Sequence, residues 1–211
     1  MSRPLAVLRP EPGNAATAAR IEAIGLRAIR LPFFAVRPVD WELPDLMQID
    51  ALLITSGNAV RHGGERLAAV KHLPVIAVGA ATARAASEAG FRVIATGAGD
   101  VADAMRRAGD RRLLHLAGRD SARETGLLTR TVYVSAPIAV DGAALLDSVA
   151  LVHSARAGRR LAEVAPDATR IAVAAISAAA LAAAGGGWRA AIAASHPTDA
   201  ALIEAARNLG R

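Results

Sequence analysis

The sequence contains no cysteine, a single tyrosine and few aromatic residues of any kind. Without cysteine, disulfide bonds and thiolate metal sites are excluded, and a reducing compartment is favoured. Aromatic residues make up 3% of the chain, which is too few for the stacking platforms that bind single-stranded nucleic acids. No cluster of carboxylates or imidazoles has the spacing of metal ligands, so the sequence predicts no metal site.

Lysine is also nearly absent, although the chain is basic. Lys71 is the only lysine, yet the formal net charge is +6. The arginines are scattered among alanines and form no basic stripe, which argues against nucleic acid as a partner. A small polyanionic ligand accounts for the positive charge equally well.

One stretch is long enough without charge to be considered as a membrane span, residues 171–188. It consists mostly of alanine and glycine, and the glycines at 185–187 would interrupt a spanning helix, so a buried strand followed by a helix is favoured. The N-terminal residues Met1-Ser-Arg-Pro lack the apolar segment of a signal peptide. We therefore expect a cytoplasmic, monomeric protein without membrane association.

The clearest pattern in the chain is a short apolar run, a small residue, an alanine-rich segment and a glycine. Residues 73–95 show this pattern, and residues 171–193 repeat it, with Gly79 at the turn of the first copy and Ser177 at the turn of the second. An apolar run of strand length followed by helix-forming residues and a glycine stop predicts a strand, a turn, a helix and a second strand.

The two copies are separated by a constant distance along the chain. Ser177 follows Gly79 by 98 residues, and Ser154 follows Ser56 by the same 98 residues. A fixed offset across two motifs indicates a duplicated domain.

The duplication predicts an α/β fold of two similar parallel-sheet domains that interleave along the chain. Residues 1–34 together with 138–211 are expected to form a discontinuous domain, and residues 37–131 an inserted domain. Residues 33–37 and 131–137, which are bracketed by prolines or rich in β-forming residues, are expected to form a two-stranded crossover between the domains.

Local signals at helix ends refine this picture. Asn14 is expected to be the N-cap of a helix over residues 15–24, and Thr198 that of a helix over residues 199–209. A short helix is expected between Asp120 and Thr129.

Candidate binding residues are expected in turns, because ligands of parallel α/β sheets bind beyond the carboxyl ends of the strands, where helix N-termini offer N–H groups to anions. No strong catalytic motif is present among these turns. The hydroxyl side chains can act either as helix N-caps or as ligand contacts, and the arginines either as solvated surface charges or as carboxylate ligands. The candidates are Arg9, Ser56, Asn58, Gly79, Thr82, Arg119, Ser154, Arg156, Ser177 and Thr198.

Two histidines and the single tyrosine allow two interpretations each. His115 and His153 follow apolar runs of strand length, and each is either a structural or a catalytic histidine. Tyr133 lies in the second crossover, where it either packs as a strand aromatic or directs its phenol into a cleft between the domains as a hydrogen-bond donor.

Along nearly its whole length the chain resembles the uroporphyrinogen-III synthase family. The matching segments are residues 9–10, 13–14, 17–20, 53–60, 75–83, 113–118, 132–133, 152–156, 176–177 and 197–198. The resemblance implies two flavodoxin-like lobes joined by a two-stranded ladder. It also implies a lyase of haem biosynthesis that works without a cofactor and cyclises the linear tetrapyrrole hydroxymethylbilane, with inversion of ring D and loss of water.

By this resemblance Tyr133 matches a tyrosine that assists departure of the substrate hydroxyl, and Thr82 matches a threonine of the second lobe's cleft turn. Where many members carry Pro and Thr in the C-terminal lobe, this chain has Ser177-Ala-Ala. A non-catalytic, two-lobed protein that binds a small polyanion, for instance as a regulator, would share the same turns and is the alternative.

Overall fold

A computed structural model describes residues 2–120 and 126–210. It divides the chain into two compact units, unit 1 with Met1–Ala35 and Pro137–Arg211, and unit 2 with Val36–Ala136. The expected α/β class with parallel sheets is confirmed. The short helix expected after Asp120 falls largely on residues 121–125, which lie outside the described residues.

The described residues form strands and helices that alternate along most of the chain. The strands are β1 (Leu5–Val7), β2 (Ala28–Arg30), β3 (Phe34–Pro38), β4 (Ala51–Ile54), β5 (Val75–Ala77), β6 (Val93–Thr96), β7 (Leu113–Gly118), β8 (Leu128–Pro137), β9 (Val149–Val152), β10 (Ala172–Ala175) and β11 (Ala190–Ala193). The α-helices are α1 (Gly13–Ala23), α2 (Gly57–His62), α3 (Ala80–Glu88), α4 (Val101–Ala108), α5 (Ala155–Val164), α6 (Ala178–Ala183) and α7 (Asp199–Leu209). Short 3-10 helices cover Leu46–Gln48, Glu65–Ala68, Gly142–Leu145 and Ala168–Arg170.

Unit 1 is built on a parallel sheet with the strand order β11-β10-β9-β1-β2. Its three central strands are buried at every residue, because continuous apolar runs suit strands that are covered on both faces. On one face, Ala157 and Leu161 of α5 pack into the core with Ala180 of α6. Helices α1 and α7 cover the other face with residues such as Ile21 and Leu202.

Unit 2 is built on a sheet with the strand order β3-β8-β7-β4-β5-β6. The ladders that join β8, β7, β4, β5 and β6 are parallel. One face packs against Val60 of α2 and Ala86 of α3, and the other against Ala104 and Ala108 of α4.

The two sheets repeat the same spatial order. In unit 2, β4, β5 and β6 follow one another from the centre of the sheet to its edge, as β9, β10 and β11 do in unit 1. Strands β7 and β8 take the positions that β1 and β2 take in unit 1. The constant offset in the sequence therefore corresponds to repeated strand positions.

One helix start differs from the sequence expectation. Helix α1 begins at Gly13 after Pro12, and Asn14 lies inside it, so the expectation that Asn14 caps the helix is wrong. Its buried side chain instead donates from Nδ2 to the carbonyl oxygens of Val7, at 2.7 Å, and Arg9, at 3.0 Å. Buried carbonyl groups at a strand end require donors, and Asn14 supplies them.

The uncharged stretch at residues 171–188 forms β10 and then α6, as expected. Within the described ranges, the structure has no helix with the length and apolar character that crossing a membrane requires.

Candidate functional site

The predicted site residues follow the carboxyl ends of strands or the starts of helices in both units. Unit 1 carries Arg9, Ser154, Arg156, Ser177 and Thr198, and unit 2 carries Ser56, Asn58, Gly79, Thr82, Arg119 and Tyr133.

Four of the predicted hydroxyl side chains are helix N-caps. The pairs are Ser56 Oγ with Asn58 N at 3.2 Å, Ser154 Oγ with Ala157 N at 3.1 Å, Ser177 Oγ with Ala180 N at 3.2 Å, and Thr198 Oγ1 with Ala201 N at 3.2 Å. A hydroxyl that accepts an N–H bond still has its own proton to donate. Capping is therefore compatible with binding a ligand carboxylate.

Helix α3 starts differently, because its N-cap is Gly79 and no side chain caps it. A depression of about 510 Å³ lies at this helix start, lined by Thr55 and residues 78–82 and 97–99. Thr82 lines the depression although it is only 8% exposed. It is the third residue of α3, so the interpretation of Thr82 as an N-cap is wrong. The first N–H groups of a helix have no partner within it, and Ala80 and Ala81, the first two residues of α3, line the depression together with Thr82.

Two further candidates of unit 2 have contacts of their own. The Oδ1 atom of Asn58 accepts a hydrogen bond from Nη1 of Arg61 at 3.3 Å. Arg119 is exposed directly after β7, and its backbone N–H donates to the carbonyl oxygen of Tyr133 at 3.0 Å. This hydrogen bond connects the turn after β7 to strand β8.

Tyr133 is half-buried on β8. Its ring packs against the core of unit 2 and reaches the backbone of Gly118, the last residue of β7. A phenol in this position has a packed ring and a polar tip near the carboxyl end of a strand.

In unit 1, Arg9 lies between two helix starts. Its guanidinium carbon is so close to Gly13 that a Cβ atom there would lie 2.7 Å away. Its Nη1 atom is 3.7 Å from Oδ1 of Asp199, the first residue of α7. The absence of a side chain at Gly13 therefore makes room for the Arg9 guanidinium.

Asp199 is the centre of a polar network that was not predicted. Its carboxylate accepts hydrogen bonds from Thr17 Oγ1 at 2.9 Å, Arg20 Nη1 at 2.6 Å and His153 Nε2 at 2.9 Å. Burial alone would raise the pKa of Asp199, but the hydrogen bonds from His153, Thr17 and Arg20 outweigh it and lower the pKa to about 2. The network thus holds an ionised carboxylate next to Arg9.

The sequence contained only part of the signal for this network. Thr17 and Arg20 are three positions apart, which places them on one face of α1. Their partner Asp199 is 182 positions away from Thr17, and no local pattern joins the two.

Arg156 has a different neighbour. Its guanidinium carbon lies 4.4 Å from the centroid of the Phe34 ring, a geometry that gives a favourable cation–π contact. Arg156 is the second residue of α5, so the contact places the Phe34 ring beside the start of this helix.

The buried histidine of unit 2 has the environment of a structural residue. His115 is 0% exposed, with Nε2 at 3.2 Å from Thr55 Oγ1 and Nδ1 at 3.3 Å from Thr129 Oγ1. Burial lowers the pKa of His115 to about 4, so the ring is neutral near pH 7. Across the parts of the chain that the structure describes, no group of three or more His, Asp or Glu side chains could hold a metal ion.

The family model described as "Uroporphyrinogen-III synthase HemD" matches residues 15–204. No curated protein gave a significant match.

Two solved structures resemble the chain in fold. The uroporphyrinogen-III synthetase of Helicobacter pylori aligns with a TM-score of 0.71 and 16% identity over 98% of this chain and 99% of that one. A mutant uroporphyrinogen III synthase of the extremely thermophilic bacterium Thermus thermophilus aligns with a TM-score of 0.52 and 19% identity over 99% of this chain and 97% of that one. At identities this low, the two structures show only that the folds are alike. Membership of a family is shown by the family model, which matches most of the chain. The chain belongs to the uroporphyrinogen-III synthase family.

Proposed function

We propose that this protein is a uroporphyrinogen-III synthase, a cytoplasmic, monomeric hydro-lyase that needs no cofactor. It cyclises hydroxymethylbilane with inversion of ring D and releases one water molecule. The observation that carries the proposal is the family match over residues 15–204. The site agrees with it, because the turns of both units offer N–H, hydroxyl and guanidinium donors of the kind that bind carboxylates.

The reaction demands positioning more than acid strength. The electron-rich pyrrole stabilises the azafulvene cation that remains when the hydroxyl leaves, and the Tyr133 phenol donates the proton with which this hydroxyl departs as water. Ring D then attacks the cation through its substituted carbon and gives a spiro intermediate. The bond from that carbon to the bridge from ring C breaks, and the bridge carbon bonds to the free α-carbon of ring D. The proton lost from this α-carbon restores the phenol. Holding a flexible chain in the reactive geometry is worth several kcal/mol.

Carboxylate binding is assigned to the remaining candidates. At α3, Gly79 and the first three residues of the helix, including Thr82, line one depression, which suits a carboxylate because anions bind favourably at helix N-termini. The other proposed substrate-binding residues are Arg9, Ser56, Asn58, Arg119, Ser154, Arg156, Ser177 and Thr198.

The deciding experiment is an isomer analysis. The protein is incubated with freshly generated hydroxymethylbilane, the products are oxidised, and the porphyrin isomers are separated. We expect isomer III. Isomer I alone would disprove synthase activity, and binding of the substrate without isomer III would favour the non-catalytic polyanion-binding alternative.

Replacing the phenol tests the catalytic role of Tyr133. We expect Tyr133→Phe to lower kcat by about tenfold or more, because the proton donor is lost while the ring that packs on the core is kept. Circular dichroism should remain unchanged. Wild-type kcat in this variant would assign Tyr133 to packing alone.

Removing the hydroxyl of Thr82 tests the depression at α3. We expect Thr82→Val to raise KM about three- to tenfold with little change in kcat, since it removes one hydrogen bond to a bound carboxylate and keeps the side-chain volume. Ser87→Ala, an exposed position in the same helix, is the control and should leave KM unchanged. An unaltered KM in Thr82→Val would remove Thr82 from the binding site.

A further inference from the structure

We propose that Gly118 is a positioning residue for Tyr133. Because glycine has no side chain, the Tyr133 ring can occupy the space that a side chain at position 118 would fill. The proposal rests on the proposed function, in which the Tyr133 phenol assists departure of the substrate hydroxyl. It adds a second residue to the machinery that determines where this phenol lies.

The first observation is the lack of space at Gly118. A Cβ atom there would lie 2.5 Å from Cζ, 2.6 Å from Cε2 and 2.8 Å from the hydroxyl oxygen of Tyr133. Non-bonded carbon atoms pack at about 3.5–4.0 Å, so an alanine at this position and the ring in its present place exclude each other. With an alanine at position 118, the Tyr133 ring would therefore have to move away from its present place.

Strand β7 explains why the ring lies at this point. Leu114 and Leu116 pack into one core cluster of unit 2, and Gly118 is the next residue on the same face, because alternate residues of a strand share a face. The row of large side chains therefore ends at Gly118. Tyr133 packs against the same cluster and covers the position where a third side chain would stand.

The second observation is an irregularity in the ladder between β7 and β8. Ala117 pairs with Thr131, whereas Gly118 pairs with Tyr133, so Val132 is passed over. Such a bulge redirects the side chains that follow it. Val132 is fully buried in the cluster against which Tyr133 packs, although regular alternation would send consecutive residues to opposite faces. The bulge thus turns Tyr133 towards Gly118.

Backbone conformation does not explain the glycine. Gly118 is not among the residues with a positive φ, so an L-amino acid could adopt its conformation. The Tyr133 ring is the feature that requires glycine here. Because a displacement of about 1 Å of a reacting group can cost about a hundredfold in rate, moving the ring should matter for catalysis.

The kinetic test is a double-mutant cycle. We expect Gly118→Ala to lower kcat by about tenfold or more and to change KM by less than about threefold. In the Tyr133→Phe background, Gly118→Ala should lower kcat no further than about twofold, because two residues that act through one group are not additive. Wild-type kcat in Gly118→Ala, or a full additional loss in the double variant, would overturn the proposal.

A spectroscopic readout is available because Tyr133 is the only tyrosine. NMR contacts between the ring protons of this side chain and the Hα protons at position 118 report where the ring lies. We expect these contacts in the wild type and their weakening in Gly118→Ala, since the ring leaves its place. Unchanged contacts would overturn the proposal. If the wild type formed isomer I only, the proposed function would fail, and the NMR contacts would still decide whether Gly118 places the ring.

The matched control is Gly63→Ala. A Cβ at Gly63 would lie 2.7 Å from the Ala59 carbonyl oxygen and 2.8 Å from Leu67 Cδ1. This is a similar crowding in the same unit, but none of the three atoms nearest to that Cβ belongs to Tyr133. We expect this variant to lose stability and to keep its kcat and the NMR contacts of the Tyr133 ring. If it lost kcat as Gly118→Ala does, crowding alone would explain the effect and the proposal would fail.

A further variant covers the case in which Gly118→Ala does not fold. In a Tyr133→Ala background the ring is absent, so Gly118→Ala should be tolerated and fold. An unfolded double variant would show that Gly118 is needed for a reason other than the ring.

Discussion

His115 illustrates how burial of one side chain makes the stability of a unit depend on pH. Its pKa is about 4 in the folded protein and about 6.5 in an unfolded chain. Between these values the unfolded state binds a proton that the folded state does not. We therefore expect the free energy of unfolding to fall as the pH is lowered from about 6.5 to 4, by about 3 kcal/mol.

The measurement is denaturant unfolding at a series of pH values. In His115→Gln the titrating group is absent, so the dependence on pH in this window should be weaker than in the wild type. An equal dependence in both proteins would show that another group causes it.

Asp199 contributes stability that is also lost in acid, but at lower pH than the contribution of His115. Its pKa is about 2 in the folded protein, below the usual 3.8, so its contribution is present above the unfolded value and is lost as the pH falls towards 2. We expect Asp199→Asn to lower the free energy of unfolding at pH 7 by about 2 kcal/mol and to release Arg9 and Arg20.

Asp147→Asn is the matched control for this variant. Asp147 also pairs with two arginines, Arg3 and Arg170, but its side chain is 52% exposed, compared with 17% for Asp199. Solvent screens an exposed pair, so we expect Asp147→Asn to lose less stability than Asp199→Asn. Equal losses in the two variants would contradict the special position of Asp199.

The role of a residue was predictable from the sequence where its partners lie close to it along the chain. Thr198 caps α7 as expected, because an N-cap and its acceptor N–H lie within one turn. The Asp199 network escaped prediction because its partners come from distant parts of the chain. Asn14 was misassigned for the same reason, since its side chain serves carbonyl groups at the end of β1 instead of its own helix.

Among the helices, α5 offers a direct test of capping. The Ser154 hydroxyl accepts the N–H of Ala157 at the start of this helix of 10 residues. We expect Ser154→Ala to lower the free energy of unfolding by about 1 kcal/mol, and Ser154→Gly by only a few tenths. Chemical denaturation would measure both, and equal losses would show that the cap is not the cause.

At the level of strands, the existence of β8 was predictable but its register was not. Residues rich in β-formers indicated a strand there. The shift that pairs Gly118 with Tyr133 depends on how β7 and β8 pack together, and neither strand's own sequence encodes it. Register irregularities of this kind arise from tertiary packing.

The molecule as a whole has separate cores, and each hydrophobic cluster lies within a single unit. We expect the units to unfold in separable transitions. Gly158→Ala should destabilise unit 1 alone by about 1–3 kcal/mol, because its Cβ would lie 2.7 Å from the Ala180 carbonyl oxygen and 2.9 Å from the Ala184 nitrogen.

The two tryptophans allow this to be measured. Trp41 belongs to a core cluster of unit 2, and Trp188 packs against one of unit 1. In Trp41→Phe and Trp188→Phe backgrounds, fluorescence reports one unit at a time. A shift of both transitions by Gly158→Ala would mean that the units unfold together.

The overall architecture was the most predictable level. A constant offset of 98 residues between Ser56 and Ser154 and between Gly79 and Ser177 is a long-range signal, and it was sufficient to infer repeated parallel α/β units. The corresponding strands occupy the same positions in both sheets.

The interleaved order has a consequence for biosynthesis. Strand β1 lies between β2 and β9 in the sheet of unit 1 and is fully buried, yet β9 leaves the ribosome only after the whole of unit 2. At about 5–20 residues per second, the nascent chain exposes the apolar edge of β1 for roughly 5–20 seconds while Val36–Ala136 is translated. We therefore expect unit 2 to fold during translation, and the first segment of unit 1 to be a target for chaperones until the second segment is synthesised.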